Sequence, residues 1–288
     1  MLSPSLVLPL YTGTLFLSAF LLFSVQPMFT KMVLPSLGGS AAVWNTAVVF
    51  FQATLLAGYL YAHLTTRLLG LRRQMLVHGA LLLLVFTALP ISMAQGWIAP
   101  TDGSPVIWLV GLLGLSVGLP FFAISATAPL LQKWFSHTDH PSADDPYFLY
   151  GGSNLGSLVA LLGYPILIEP LIGLRAQGWA WSVGYAILAA GILACGAFLW
   201  GRYRDTQPTE ASEPVGHLIQ KVTWMLRGRW LLLSLAPSAL LLGVTLHIGT
   251  DIAAAPFLWV VPLALYLLSF VLVFARRPLF IHAWMLRG

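Results

Sequence analysis

The chain has 288 residues, 58% of them hydrophobic and only 8% charged, with a formal net charge of +5. A soluble domain of ordinary composition carries about 25% charged residues; here the mean hydropathy is +0.85, which excludes a water-facing globule and makes the lipid bilayer the expected partner. The bases lie thinly in short loops, which excludes a nucleic-acid surface, and the single cysteine, Cys195, excludes an intrachain disulfide or a cysteine metal cluster.

A spanning helix needs about 20 apolar residues. Runs of that kind fall at Ser5–Val25, stopped near Gln26 and Pro27, then at Ala41–Thr65, Gln74–Met93, Pro105–Leu131, Tyr147–Ile168 and Trp179–Trp200. After a polar stretch, two more follow at Trp230–Ile248 and Ala255–Phe274. Backbone groups cannot stay unpaired in lipid, and the strict alternation of a barrel is absent, so the runs are expected to be helices. The fold class is therefore an all-α integral membrane protein with about eight transmembrane helices. Residues 1–200 form a six-helix bundle, 201–229 a linker, and 230–288 two further helices and the start of a segment that stops short. No Lys or Arg precedes the first run and no small-x-small cleavage site follows it, so it reads as a membrane helix rather than a signal peptide.

Loop charge sets the expected orientation. Arg67, Arg72, Arg73, Lys133, Arg202, Arg204, Lys221, Arg227, Arg229, Arg276 and Arg277 fall in loops on one side, against Lys31 and Arg175 on the other. The N-terminus and the linker are thus expected in the cytoplasm. Residues His217–Leu226 of the linker have the makings of a short interfacial helix.

Polar residues inside the runs are the candidate functional groups, since they face a bundle interior or a watery cavity. In the second run, Asn45, Gln52, Tyr59 and His63 sit at offsets of 0, 7, 14 and 18, which places them within about 40° on a helix. They either line a solute path or glue helices together. In the fifth run, Tyr147, Tyr150, Asn154 and Ser157, with Tyr164, gather on one side, and Gly152, Gly156 and Gly163 lie opposite, where they would let another helix approach closely. Pro165 and Pro170 are expected to distort its last turns. Glu169 follows that distortion at the outer boundary. It is either a proton or cation site or an interfacial carboxylate reaching headgroups. Asp251 and His247 between the last two runs share a helical face if that stretch is helical; otherwise Asp251 caps the eighth helix. Lys31 is a possible counter-charge for Glu169 or Asp251. The loop "HTDHPSADDP", His137 to Pro146, has no familiar metal spacing and reads as a solvated loop capping the fifth helix. No catalytic, cofactor-binding or metal motif is read in the chain.

Three blocks carry a family resemblance: "FSVQPMFTKMVLPSLGGSAAVWNTAVVFFQATLLAGYLYAHL", "DPYFLYGGSNLGSLVALLGYPILIEPLIGL" and "TDIAAAPFLWVVPLALYLLSFVLVFARRP". They resemble the membrane portion of bacterial fused major-facilitator/spermidine-synthase-like proteins. The resemblance implies a major-facilitator-like bundle in the bacterial inner membrane, with a soluble aminopropyltransferase-like domain, fused or separate, as partner. Six helices, a linker and further helices match the facilitator layout. The chain stops before the remaining helices and that domain, so a truncated parent is expected. Gly58, Gly70, Arg72 and Arg73 can be laid on the facilitator signature only with stretched spacing and without its acidic residue; a positive-inside anchor accounts for them better and needs no gating role. Two functions follow: transport of a small polar or cationic solute, or a membrane anchor for the synthase-like domain with no transport of its own.

Overall fold

The computed structural model describes residues 4–37, 41–93, 105–202, 223–248 and 260–273. All regular structure among the described residues is helical. Among the described residues, six helices have the length and apolar composition to cross a membrane: Leu6–Leu37, Asn45–Ala88, Val106–Phe135, Pro146–Leu171, Leu174–Gly201 and Trp224–Thr245. This is compatible with a multi-pass membrane protein. The chain forms two compact units, Met1–Arg202 with Leu267–Gly288, and Tyr203–Tyr266.

In the first unit, α1 (Pro4–Leu37) runs for 34 residues, about 50 Å. The expected stop at Pro27 is corrected: the helix passes through Pro9, Pro27 and Pro35. Proline removes one ladder hydrogen bond, but α1 is held along its length by side chains packed on it from both flanks, and Val25, Met28, Phe29 and Val33 stay buried across the proline.

The next helix, α2 (Ala41–Val85), is 45 residues long, and it doubles back. Gly70 has φ 69° and ψ 169°, a left-handed conformation that favours glycine. Across it, Gln74 Nε2 donates to the Ala62 carbonyl at 3.3 Å, and the rings of Tyr61 and His78 lie 6.0 Å apart. In a straight helix Ala62 and Gln74 would be about 18 Å apart. The two arms are therefore antiparallel, and the second and third sequence runs are both present within this one element. A 3-10 turn at Phe86–Ala88 ends the second arm.

Residues 105–135 follow as α3 (Pro105–Leu113), a π segment at Gly114–Gly118, α4 (Leu119–Ser125) and α5 (Thr127–Phe135). Asp145 then caps a 3-10 turn at Pro146–Phe148 by accepting from the Tyr147 amide, and α6 (Leu149–Gly163) leads into a π segment at Tyr164–Ile168 and the short α7 (Glu169–Leu171). The distortion expected around Pro165 is this π segment. Finally α8 (Leu174–Arg202) closes the unit, starting five residues before the expected Trp179.

The packed helices pair in both senses. Gly152 and Gly156 of α6 meet Thr12 and Phe16 of α1 in parallel order. Tyr11 donates to the Cys195 carbonyl at 3.2 Å and Trp181 Nε1 to the Leu21 carbonyl at 3.0 Å, so α8 runs antiparallel to α1. Tyr185 donates to the Leu82 carbonyl at 3.0 Å, and Arg72 lies over the Trp200 ring at 5.6 Å, so α8 is antiparallel to the second arm of α2 as well. Arg67, Arg72, Arg73, Lys133 and Arg202 consequently gather at one end of the unit, and Lys31 and Glu169 mark the other.

In the second unit, α9 (Trp224–His247) begins six residues before the expected Trp230, because Thr223 accepts from the Leu226 amide and caps it there. Its described side chains include none that is buried. A short helix, α10 (Val260–Val273), straddles the division between the units. Residues 217–222 of the anticipated interfacial helix, and residues 249–259, lie outside the described residues.

The tightest helix contact suggests a stability test. A Cβ built on Gly156 would lie 2.2 Å from the Phe16 carbonyl oxygen, which cannot retreat without moving α1, whereas nothing lies within 4 Å of one on Gly163. Gly156→Ala should cost about 1–3 kcal/mol through overpacking and lower the melting temperature in detergent; Gly163→Ala should not. Equal melting temperatures for the two variants would show that α1 and α6 do not meet there.

Candidate functional site

The polar stripe of the second run lies on the first arm of α2. Asn45, Gln52, Tyr59 and His63 are all exposed. None donates or accepts a hydrogen bond across to another helix among the described residues. The exposure follows from the wheel: Val43, Ala47, Phe51, Gly58 and Ala62 occupy the opposite side, where Gly58 sits against Ser125 and Phe122 and Phe51 against Phe121. The apolar side of the arm is used for packing, which leaves the polar side outward.

The stripe on α6 divides. Tyr147 is exposed and stacks on Tyr150, ring centroids 6.3 Å apart at 12°. Tyr150 and Asn154 are half-buried. Ser157 turns inward: it is buried and donates to its own helix at the Ser153 carbonyl, 3.2 Å away. Tyr164 is likewise buried, with its hydroxyl donating to Gln177 Oε1 at 3.0 Å. Tyr59 and Tyr150, one from each stripe, lie close enough to interact electrostatically. Tyr59 and Tyr150 are thus the one link between the two stripes that the described residues show.

At the end away from the arginines, Lys31 Nζ donates to Glu169 Oε1. Lys31 thus meets Glu169, one of the two carboxylates considered for it; the other, Asp251, lies outside the described residues. The pair is made possible by α1 continuing beyond Pro27, which carries Lys31 to the level of α7. Side-chain exposure is 37% for Lys31 and 19% for Glu169, so the charges are shielded but reachable by water. Gln177, beside Tyr164, also donates to the Ile172 carbonyl at 2.7 Å and secures the turn that follows Glu169.

His247 ends α9 and is exposed; Asp251 lies outside the described residues. In the acidic loop, His140 Nδ1 accepts from the Ser142 amide at 3.1 Å and its ring packs 5.3 Å from Phe135. No group of three His, Cys, Asp or Glu side chains suited to a metal occurs among the described residues.

Sequence reasoning passed over the polar cluster between the arms of α2 and α5. Gln74 is fully buried and satisfied on all sides: Nε2 donates to Ala62, Thr65 and Thr66, while Oε1 accepts from Trp134 Nε1 at 3.1 Å. His78, one turn further on, is also fully buried. The available signal was the Gln-x-x-x-His spacing inside "QMLVHGALLLLV", which puts both residues on one helical face.

The ion pair supplies the next prediction. Glu169→Gln or Lys31→Met leaves one shielded charge without its partner and should cost about 1–2 kcal/mol, between the values for exposed and buried pairs. The exchange Lys31→Glu with Glu169→Lys should recover most of the lost melting temperature. Single variants as stable as the parent would refute a contribution from the pair.

No family model, no curated protein and no solved structure matches this chain.

Proposed function

We propose that the chain is the membrane part of a major-facilitator-like secondary transporter that moves a small polar or cationic solute across the bacterial inner membrane. On this reading the two arms of α2 are separate crossings, eight crossings are present, and the arginine-bearing end of the first unit faces the cytoplasm. The resemblance to fused major-facilitator/spermidine-synthase-like proteins supports the placement, and makes an aminopropyltransferase-like domain the expected partner.

One observation carries the reading. Asn45, Gln52, Tyr59 and His63 are exposed along one side of the first arm of α2, and none of them bonds across to another helix among the described residues. Polar side chains on a spanning helix are costly against lipid and need water, a solute or another helix bundle opposite them. In a transporter with two facing halves, that opposite surface is the solute path. Lys31 and Glu169 are the charges available for coupling at the far end, since a pair that can open can exchange a proton or cation.

The test is flux in proteoliposomes. A panel of radiolabelled amines, amino acids and polyols identifies the transported solute; Gln52→Ala and Tyr59→Ala should then lower its flux about tenfold each, equivalent to about 1.4 kcal/mol of lost interaction. Melting temperatures should be unchanged, because neither side chain bonds to another helix. A pure anchor for a synthase-like domain predicts no flux of any panel member and no effect of either substitution.

A further inference from the structure

Tyr61, His78 and Thr127 come from three helical segments: the two arms of α2 and the start of α5. His78 and Thr127 have no exposed surface, and the Tyr61 hydroxyl is buried too. Among the described residues, both ring nitrogens of His78, the Tyr61 hydroxyl and Thr127 Oγ1 have no hydrogen-bond partner. Tyr61 and His78 are neighbours, and Trp134 of α5 lies beside His78. The His78 ring centroid lies 6.0 Å from that of Tyr61 and 6.3 Å from that of Trp134. Thr127 lies on the same face of α5 as Trp134, two turns nearer the start of that helix.

Two contrasts mark this cluster out. One turn away, Gln74 meets every partner that protein can offer, so the bundle does pair its buried polar groups where it can. Thr14, Thr30, Thr54 and Thr65 each donate to the carbonyl four residues earlier, at 2.7, 2.8, 2.8 and 2.8 Å. Thr127 does not, which leaves its hydroxyl available to something else. A neutral imidazole has one donor and one acceptor, and each hydroxyl can do both. Water is the one molecule small enough and versatile enough to join all three, and buried polar groups without protein partners are ordinarily met by it.

We propose that Tyr61, His78 and Thr127 form an internal hydrated site, in which bound water joins the imidazole to the two hydroxyls and bridges the arms of α2 to α5. The site is separate from the outward stripes and does not depend on the transport reading. It places a protonatable ring with its own water inside an apolar bundle.

A double-mutant cycle on the purified full chain tests this. Tyr61→Phe and Thr127→Val are each made in the parent and in His78→Leu, and melting temperatures are measured. Bridging water predicts that either hydroxyl loss lowers the melting temperature by about 2–4 °C in the parent, and that the effect disappears once His78 is leucine. Unhydrated hydroxyls predict the reverse sign, since removing an unpaired buried group stabilises, and the same shift in both backgrounds; that outcome, or no shift at all, overturns the proposal. Should His78→Leu fail to fold, the parent itself decides. Solid-state NMR of protein labelled with nitrogen-15 histidine, with His78→Gln used to assign the signal, should show magnetisation transfer from water protons to the His78 ring. A ring that receives none rules the site out.

Discussion

The interior of the first unit is mostly apolar, and a polar side chain buried there needs a hydrogen-bond partner on its own helix, on a neighbouring helix or in a bound water. That constraint explains most of the bonds that cross between helices. Tyr11, Trp181 and Tyr185 all donate to backbone carbonyls of a neighbouring helix, at Cys195, Leu21 and Leu82. A helical carbonyl already bonded within its helix keeps a second lone pair, so an aromatic donor can be satisfied without a second buried polar side chain. Large apolar rings with one polar atom each thereby act as both filler and fastening. Close approach is the other requirement, met at Gly156, where α6 rests on the backbone of α1.

The same constraint sorts the sequence's polar residues into three groups. Gln74, Tyr164 and Gln177 are inside and satisfied. Asn45, Gln52, Tyr59 and His63 are exposed on the surface of the first unit. The buried polar atoms of Tyr61, His78 and Thr127 have no protein partner among the described residues. A polar stripe on a helical wheel does not distinguish these outcomes. The difference is decided by which side of the arm the neighbouring helices occupy, and here Gly58, packed against Ser125 and Phe122, sets that side.

Much of the fold was legible in the runs of apolar residues, because length and hydropathy decide which stretches are long apolar helices. The boundaries were less so. Pro27 carried a stop signal that packing overrode, and Thr223 a start signal that the apolar pattern alone did not reveal. Gly70 could be read as a loop glycine, but its φ of 69° and the return of Gln74 to Ala62 appear only in three dimensions. For the candidate site, helical spacing found the stripes, yet it grouped Ser157 with Tyr147, whereas packing against α1 turns Ser157 inward. The meeting of Lys31 with Glu169 depends on residues 138 positions apart. Local pattern could name those two as partners on one side and no more.

The central claim is that the outward stripe of α2 faces water rather than lipid. Its most direct measurement uses single cysteines on a Cys195→Ser background, treated in native membranes with a charged maleimide, which reacts only where water reaches the thiol. Gln52 and Tyr59 are the stripe positions. Ala53 and Ala57, also exposed and at similar depth but turned about 100° or more away, are the controls. The account predicts rapid labelling at 52 and 59 and little at 53 and 57. Protection of all four positions would place the stripe against lipid or protein and contradict it.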